Sequence, residues 1–187
     1  MAQRKYLSRE EIELLLSEAS RNSWPERNYC LILMGFLHGF RISELLGLRL
    51  SDIDMRAKVI YVRRIKNGFS TQQPLLPREL RALKTWLNYR ATLFHVDESN
   101  DWVFVSRAGN PLTRQAINKL LRQLSERAML PVMVHPHMLR HACGYALADQ
   151  GLDTRLIQDY LGHRNIKHTV LYTASNSARF KKVWQNS

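Results

Sequence analysis

The sequence predicts a mainly α-helical domain with one small antiparallel β-hairpin or sheet, an α+β arrangement. Two observations carry this. Apolar residues recur at helical spacing over most of the 187 residues, behind helix-opening residues such as Ser8, Pro25, Pro77, Pro136 and Asp153. The period changes only near Lys58-Val-Ile-Tyr-Val-Arg-Arg-Ile-Lys66, which is rich in β-branched residues and runs into the turn signal Asn67-Gly68.

Ser8-Arg9-Glu10-Glu11 reads as a capping box, so a first helix spans about 8–21 with Ile12, Leu15, Leu16 and Ala19 inward. Pro25 opens a second helix to about Gly39, apolar on most sides and therefore central. A short helix, Ile42 to Gly47, follows Arg41. The β element occupies about 58–76, with Thr71 to Leu76 as the returning strand. Pro77 then opens a helix with Leu80, Leu83, Leu87 and Ala91 on one face. Trp102 to Val105 reads as a short strand and Gly109-Asn110-Pro111 as a turn. From Thr113 a helix carries the stripe Ile117, Leu120, Leu121, Leu124 and Ala128. Pro136 opens another that ends at Gly151, and Asp153 caps one that stops at Gly162. A last short helix is expected within 175–184.

Lys plus Arg number 28 against 16 Asp plus Glu, a net charge of +12, with 45% apolar and 24% charged residues. That balance excludes disorder as the main state. Cys30 and Cys143 are the only cysteines, both in apolar runs, so a disulfide framework is excluded and buried thiols are expected. The start of the chain is charged, and the longest apolar run, Tyr29 to Leu37, falls short of the about 20 residues that cross a bilayer. A soluble, intracellular protein with no membrane partner is expected. The scattered positive charge calls for a polyanion met by a folded surface, nucleic acid ahead of an acidic membrane.

Three segments carry chemistry: Arg41-Ile-Ser-Glu44, His137-Met-Leu-Arg140-His141, and Leu161-Gly-His163 followed by Tyr172. His137 and Arg140 lie three apart at a helix start, where free N–H groups and a two-pronged guanidinium suit a phosphate. A salt bridge for Arg140 and a capping role for His137 are the plainer alternatives. Arg41, flanked by apolar residues, needs an anion, either Glu44 or a bound phosphate with Glu44 behind it. His137 and His141 have metal-pair spacing, but no third ligand is obvious. Lys66 is either a solvated turn residue or a proton donor on a hairpin tip.

With Arg41, His137-x-x-Arg140, Leu-Gly-His163 and Tyr172 in this order, the chain resembles the tyrosine recombinases, the integrase family of site-specific DNA recombinases. The resemblance covers nearly the whole chain as a single catalytic domain, 1–187. It implies that Tyr172 attacks a DNA phosphate to give a 3′-phosphotyrosyl link. It implies that Arg41 and Arg140 hold the phosphate oxygens, Lys66 protonates the leaving 5′-oxygen, His137 assists at the tyrosine, and His163 supports the transition state. Glu44 is implied as a support for the first arginine. Lys58, Arg63 and Arg64 compete with Lys66, and Tyr160 with Tyr172, although Tyr160 sits in an apolar stripe. No metal or other cofactor is implied.

Family members usually carry a helical domain ahead of the catalytic one. Here the Arg41 motif comes so early that this domain is expected to be missing, as in the fimbrial phase-variation recombinases. The resemblance therefore implies a bacterial, cytoplasmic, nucleoid-associated DNA invertase. It would act as a homotetramer on paired inverted-repeat sites in double-stranded DNA, with DNA-bending accessory proteins as further partners. A type IB topoisomerase-like relaxing enzyme, a catalytically silent DNA-binding regulator and a basic module for membrane or RNA are the competing readings.

Overall fold

The computed structural model describes residues 4–65 and 68–174. Lys66, Asn67 and the expected helix within 175–184 lie outside the described residues.

The element order is α1 (Arg9–Ser20), α2 (Pro25–Leu37), α3 (Ile42–Leu46), a 3-10 turn (Leu50–Asp52), β1 (Ile53–Asp54), β2 (Val59–Val62), β3 (Thr71–Pro74), α4 (Pro77–Arg90), α5 (Arg114–Arg127), α6 (Pro136–Asp149), α7 (Thr154–Leu161) and α8 (Lys167–Thr173). The expected caps are in place. Ser8 Oγ accepts from the Glu11 N–H while Glu11 returns a carboxylate oxygen to the Ser8 N–H at 2.8 Å. Thr113 and Asp153 cap α5 and α7. Cys30 and Cys143 are free, buried thiols.

α2 is the central helix, packed against α1, α4 and α6. It buries Cys30 through Gly35 without a break, and each aliphatic side chain so buried contributes about 1.5–3 kcal/mol. A second, smaller core joins Cys143 and Ala148 of α6 to Ile157 and Leu161 of α7 and Tyr172 of α8. Phe36 of α2 packs against both cores, so the central helix registers the α6–α8 layer on the rest of the domain.

Within the mainly helical fold with a small antiparallel sheet that the sequence predicts, five details are corrected. The sheet has three antiparallel strands in the order β1-β2-β3, because Ile53 and Asp54 pair with Ile60 and Val59. β2 stops at Val62, paired with Thr71, and does not run to Lys66. The chain leaves the ladder there because Arg64 turns inward and its N–H goes to Ser70 Oγ at 3.1 Å. Trp102 and Val105 make isolated bridges to Arg49 and Pro111 rather than a strand. α4 is rotated from the expected face: Ala82, Leu83 and Trp86 are buried with Glu79 and Arg90, while Ala91 is exposed. Trp86 decides that rotation, since its indole N–H donates to the Val103 carbonyl at 2.9 Å. Finally, Tyr172 sits in a helix, α8, that the sequence pattern did not reveal.

The hairpin is tied to the helical body through His38. Its ring nitrogens face Gln73 Oε1 at 2.6 Å and Glu79 Oε1 at 2.5 Å. Both partners are acceptors, so the ring donates twice or the Glu79 carboxyl supplies the shared proton. Gln73 Nε2 also donates to the Tyr160 carbonyl at 3.0 Å, which fixes β3 to the end of α7.

Candidate active site

The site begins where α2 ends. Gly39 has φ +56, a left-handed value that a side chain resists, and a Cβ there would collide with Leu161 Cδ2. The turn delivers Arg41 to the N-cap of α3. Glu44 accepts the Arg41 backbone N–H at 2.9 Å and its guanidinium at 2.8 Å. It also accepts Arg64 Nη1 at 2.9 Å and the Ile65 N–H at 3.3 Å. Burial pushes the Glu44 carboxyl up, but the Arg64 charge and these bonds outweigh it and hold the group below the ordinary value, ionised. Burial also draws Arg64 down, more than Glu44 holds it up. A guanidinium starts so high that it stays charged near neutrality.

Arg140 is 1% exposed. Its guanidinium donates to the Gly39 carbonyl and to the Leu161 carbonyl, the latter at 2.9 Å. Those bonds engage two of five N–H donors and leave the rest for an anion. Burial, then Arg64 and Arg41, bring its pKa down to about 10, so it too remains charged. Three guanidinium groups thus surround one carboxylate. The surplus positive charge, held in a poorly solvated place, is stabilised by an anion with several acceptor oxygens.

α7 ends on Gly162, φ +67, where a Cβ would lie 2.7 Å from Arg64 Cγ and from the Phe69 carbonyl oxygen. The next residue, His163, is fixed by Nδ1 against Thr169 Oγ1 at 2.8 Å. Burial first, then Arg140 and Arg41, push its pKa down to about 3, so the ring is neutral. It stacks on Tyr172 with ring centroids 6.4 Å apart and planes at 19°. Tyr172 is 2% exposed and lies against Tyr145 and Gly144. Its hydroxyl meets His141 Nδ1 at 2.9 Å. Burial pushes the phenol well above its ordinary value, against a smaller downward pull from Arg140.

Arg41, Glu44, Arg140, His163 and Tyr172 are therefore brought together, as the motif order leads one to expect. His137 is exposed and reaches the cluster through His141, with ring centroids 4.4 Å apart. His141 Nδ1 is thus engaged by a hydroxyl. Tyr160, the rival phenol, donates to the Leu37 carbonyl at 2.8 Å. Asp52 and Asp54 accept the Arg49 N–H and the Arg56 and Ala57 N–H groups, respectively. A buried hydroxyl beside a cationic, anion-ready cradle is equipped for phosphoryl transfer through a protein oxygen.

A profile of the phage integrase family matches residues 5–179. The chain belongs to that family, and so to the tyrosine recombinases, enzymes of site-specific DNA cleavage and rejoining. Among its relatives it is 54% identical over 184 residues to the type 1 fimbriae regulatory protein FimB of Escherichia coli (strain K12), covering 98% of this chain and 91% of that one. It is 48% identical to FimE of the same strain, covering 100% and 94%. A crystal structure of XerA recombinase superposes with a TM-score of 0.82 at 29% identity, covering 99% of this chain and 65% of that chain. XerH bound to a palindromic difH substrate, a post-cleavage complex, gives 0.78 at 26%, covering 97% and 53%.

Sequence reasoning passed over Gly144 and named Arg64 and His141 without finding the contacts they make. His141 was visible only as half of a histidine pair. A lone glycine inside a helical pattern signals close approach, and Gly144 is one. A Cβ on Gly144 would lie 2.5–2.7 Å from three atoms of the Tyr172 ring. Gly144→Ala is expected to displace that ring and slow attack by about 10²-fold, since a misplacement of about 1 Å costs that much. Covalent-adduct kinetics check it, and an unchanged rate would sink the idea.

Proposed function

We propose that this chain is a site-specific recombinase that inverts a promoter-bearing DNA segment and so controls fimbrial phase variation. The observation that carries the chemistry is the Tyr172 hydroxyl set beside Arg140 and His163 in a cluster with surplus positive charge. The FimB and FimE names support the biological half.

In this reading Tyr172 attacks a phosphorus to give a 3′-phosphotyrosyl link, and the 5′-oxygen leaves with a proton from Lys66. Arg41 and Arg140 offset the charge that builds on the non-bridging oxygens. His163 hydrogen-bonds the phosphate, His137 assists proton traffic, and Glu44 orients Arg41. The bond energy stays in the protein–DNA link, so rejoining needs no nucleotide. Because Tyr172 is 2% exposed, a small displacement of α8 admits the phosphate. Incubation with a nicked suicide substrate tests the proposal. A covalent adduct mapping to Tyr172 supports it, and an adduct elsewhere or none overturns it.

DNA is the partner this chemistry requires. The charge of +12 is matched to phosphates, and contacts to about six of them give an affinity loss on the order of 10³-fold between 50 and 200 mM salt. A mobility-shift titration with a shallow slope would count against that. A homotetramer on paired inverted repeats, DNA-bending accessory proteins and a place at the bacterial nucleoid complete the proposal. Among the described residues no helix is long and apolar enough to cross a membrane. Arg179, Lys181, Lys182 and Trp184 lie in the segment that would dock on a neighbouring subunit. Truncation after Asn176 is expected to abolish tetramer formation on paired sites, as read by sedimentation of the DNA complex.

A further inference from the structure

We infer that His141 is the group that takes the Tyr172 proton during strand cleavage and returns it during rejoining. The geometry points there directly: Nδ1 lies 2.9 Å from the hydroxyl, the only hydrogen bond that hydroxyl makes among the described residues. His137, the histidine of the sequence motif, sits one helical turn away and touches the His141 ring instead. α6 carries His141 next to Arg140, so base and phosphate clamp share one rigid element. The inference rests on Tyr172 being the nucleophile.

The hydroxyl can donate or accept, and the inferred transfer uses the tautomer with the ring proton on Nε2, in which Nδ1 accepts from Tyr172. Among the described residues, the charged and titratable groups that face His141 are His137 and Arg140 from α6, His135 just before it, Arg4 and Lys5 from the N-terminal segment and Tyr172 from α8. No carboxylate is among them. Burial first, then these neighbours, bring the His141 pKa down to about 4, so its lone pair is available throughout the neutral range. Tyr172, pushed up by burial, does not ionise unaided and needs an acceptor in contact.

A base of that pKa is weak while the site is empty. A phosphodiester between Arg41 and Arg140 brings a negative charge that offsets those neighbours. The proton affinity of His141 then rises as charge builds on phosphorus. Arg4, Lys5, His135, His137 and His141 line a cleft of about 350 Å³, and exposed His137 offers the proton an exit to solvent.

The step balances. Tyr172 Oη forms a bond to phosphorus as its proton passes to His141 Nδ1. The bond from phosphorus to O5′ breaks, and O5′ takes the proton that the proposed general acid supplies. Rejoining reverses each transfer.

The experiment compares wild type, His141→Ala and His141→Asn on a nicked suicide substrate between pH 6 and 8.5, with Tyr172→Phe as control. Asn places an oxygen near the Nδ1 position, where it accepts the hydrogen bond but cannot take the proton. Both His141 variants are expected to lose about 10²–10³-fold in cleavage rate at pH 7. Their rates are expected to climb about tenfold per pH unit as hydroxide replaces the missing base, while wild type stays flat. DNA affinity is expected to stay within about twofold. Asn at wild-type speed, Ala faster than wild type, or a loss with a flat pH profile each overturns the inference. Melting curves show whether Ala has unfolded, in which case Asn alone decides. An adduct formed by Tyr172→Phe would overturn the nucleophile assignment instead of the base.

Discussion

Tyr172→Phe is expected to give no detectable covalent adduct with DNA while leaving the fold within about 1 kcal/mol of wild type. The two halves follow from different features of the residue. The ring does the packing, edge-on to Tyr145 at 5.1 Å and stacked on His163, and phenylalanine keeps all of it. The hydroxyl contributes one hydrogen bond, to His141, whose net worth is about 0.5–1.5 kcal/mol. His141 is only half-buried, so water can satisfy Nδ1 once the phenol is gone. The rival phenol Tyr160 does not stand in reserve, because it is bound to the end of α2 and burial pushes its hydroxyl well above the ordinary value. Denaturant unfolding and a denaturing gel of the DNA reaction read the two halves separately. A residual adduct would reassign the nucleophile; a stability loss above about 2 kcal/mol would make the ring pocket depend on the hydroxyl.

How much of this was written locally in the chain differs from element to element. The starts of α1, α5 and α7 were legible because a cap is a contact within four residues: Ser8 with Glu11, Thr113 with Ala116, Asp153 with Leu156. The grouping of Arg41, Arg140, His163 and Tyr172 was legible through the family resemblance, which rests on their types and order in this chain. What was not legible depends on partners far along the chain. The rotation of α4 is set by Trp86 reaching Val103, and the end of β2 by Arg64 reaching Glu44, 20 residues back. The seven residues of α8 carry too little periodicity to announce a helix, and they hold their place through packing on α6 and α7. His141 was left without a role for the same reason: its partner is 31 residues away.

Arg64 is the residue whose loss should cost the fold most. Arg64→Met is expected to destabilise the protein by about 3–5 kcal/mol, the range for removing one partner of a buried ion pair. The guanidinium is wholly buried against Glu44, which is itself buried. It also donates to the His38 carbonyl at 2.8 Å, the Tyr160 carbonyl at 2.9 Å and the Gly39 carbonyl at 3.3 Å. Methionine fills the space and supplies none of this. The Tyr160 and Gly39 carbonyls keep Gln73 and Arg140, so the new deficits are the His38 carbonyl and a Glu44 left with Arg41 as its one directly bonded cation. Arg64 Nε already lacks a partner, a cost the native state carries and the variant sheds. Against a typical total of about 5–15 kcal/mol the net loss is large, with a fall in melting temperature on the order of 10 °C. Urea unfolding of Arg64→Met, Glu44→Gln and the double variant separates pairing from packing. If the unpaired Glu44 charge is the main cost, Arg64→Met is milder in the Gln background by about 2 kcal/mol or more. Simple additivity would assign the cost to the carbonyls instead. Catalysis should suffer in either case, because Arg64 and Arg140 share the Gly39 carbonyl, and the phosphate cradle is held open by the same bonds that hold the fold together.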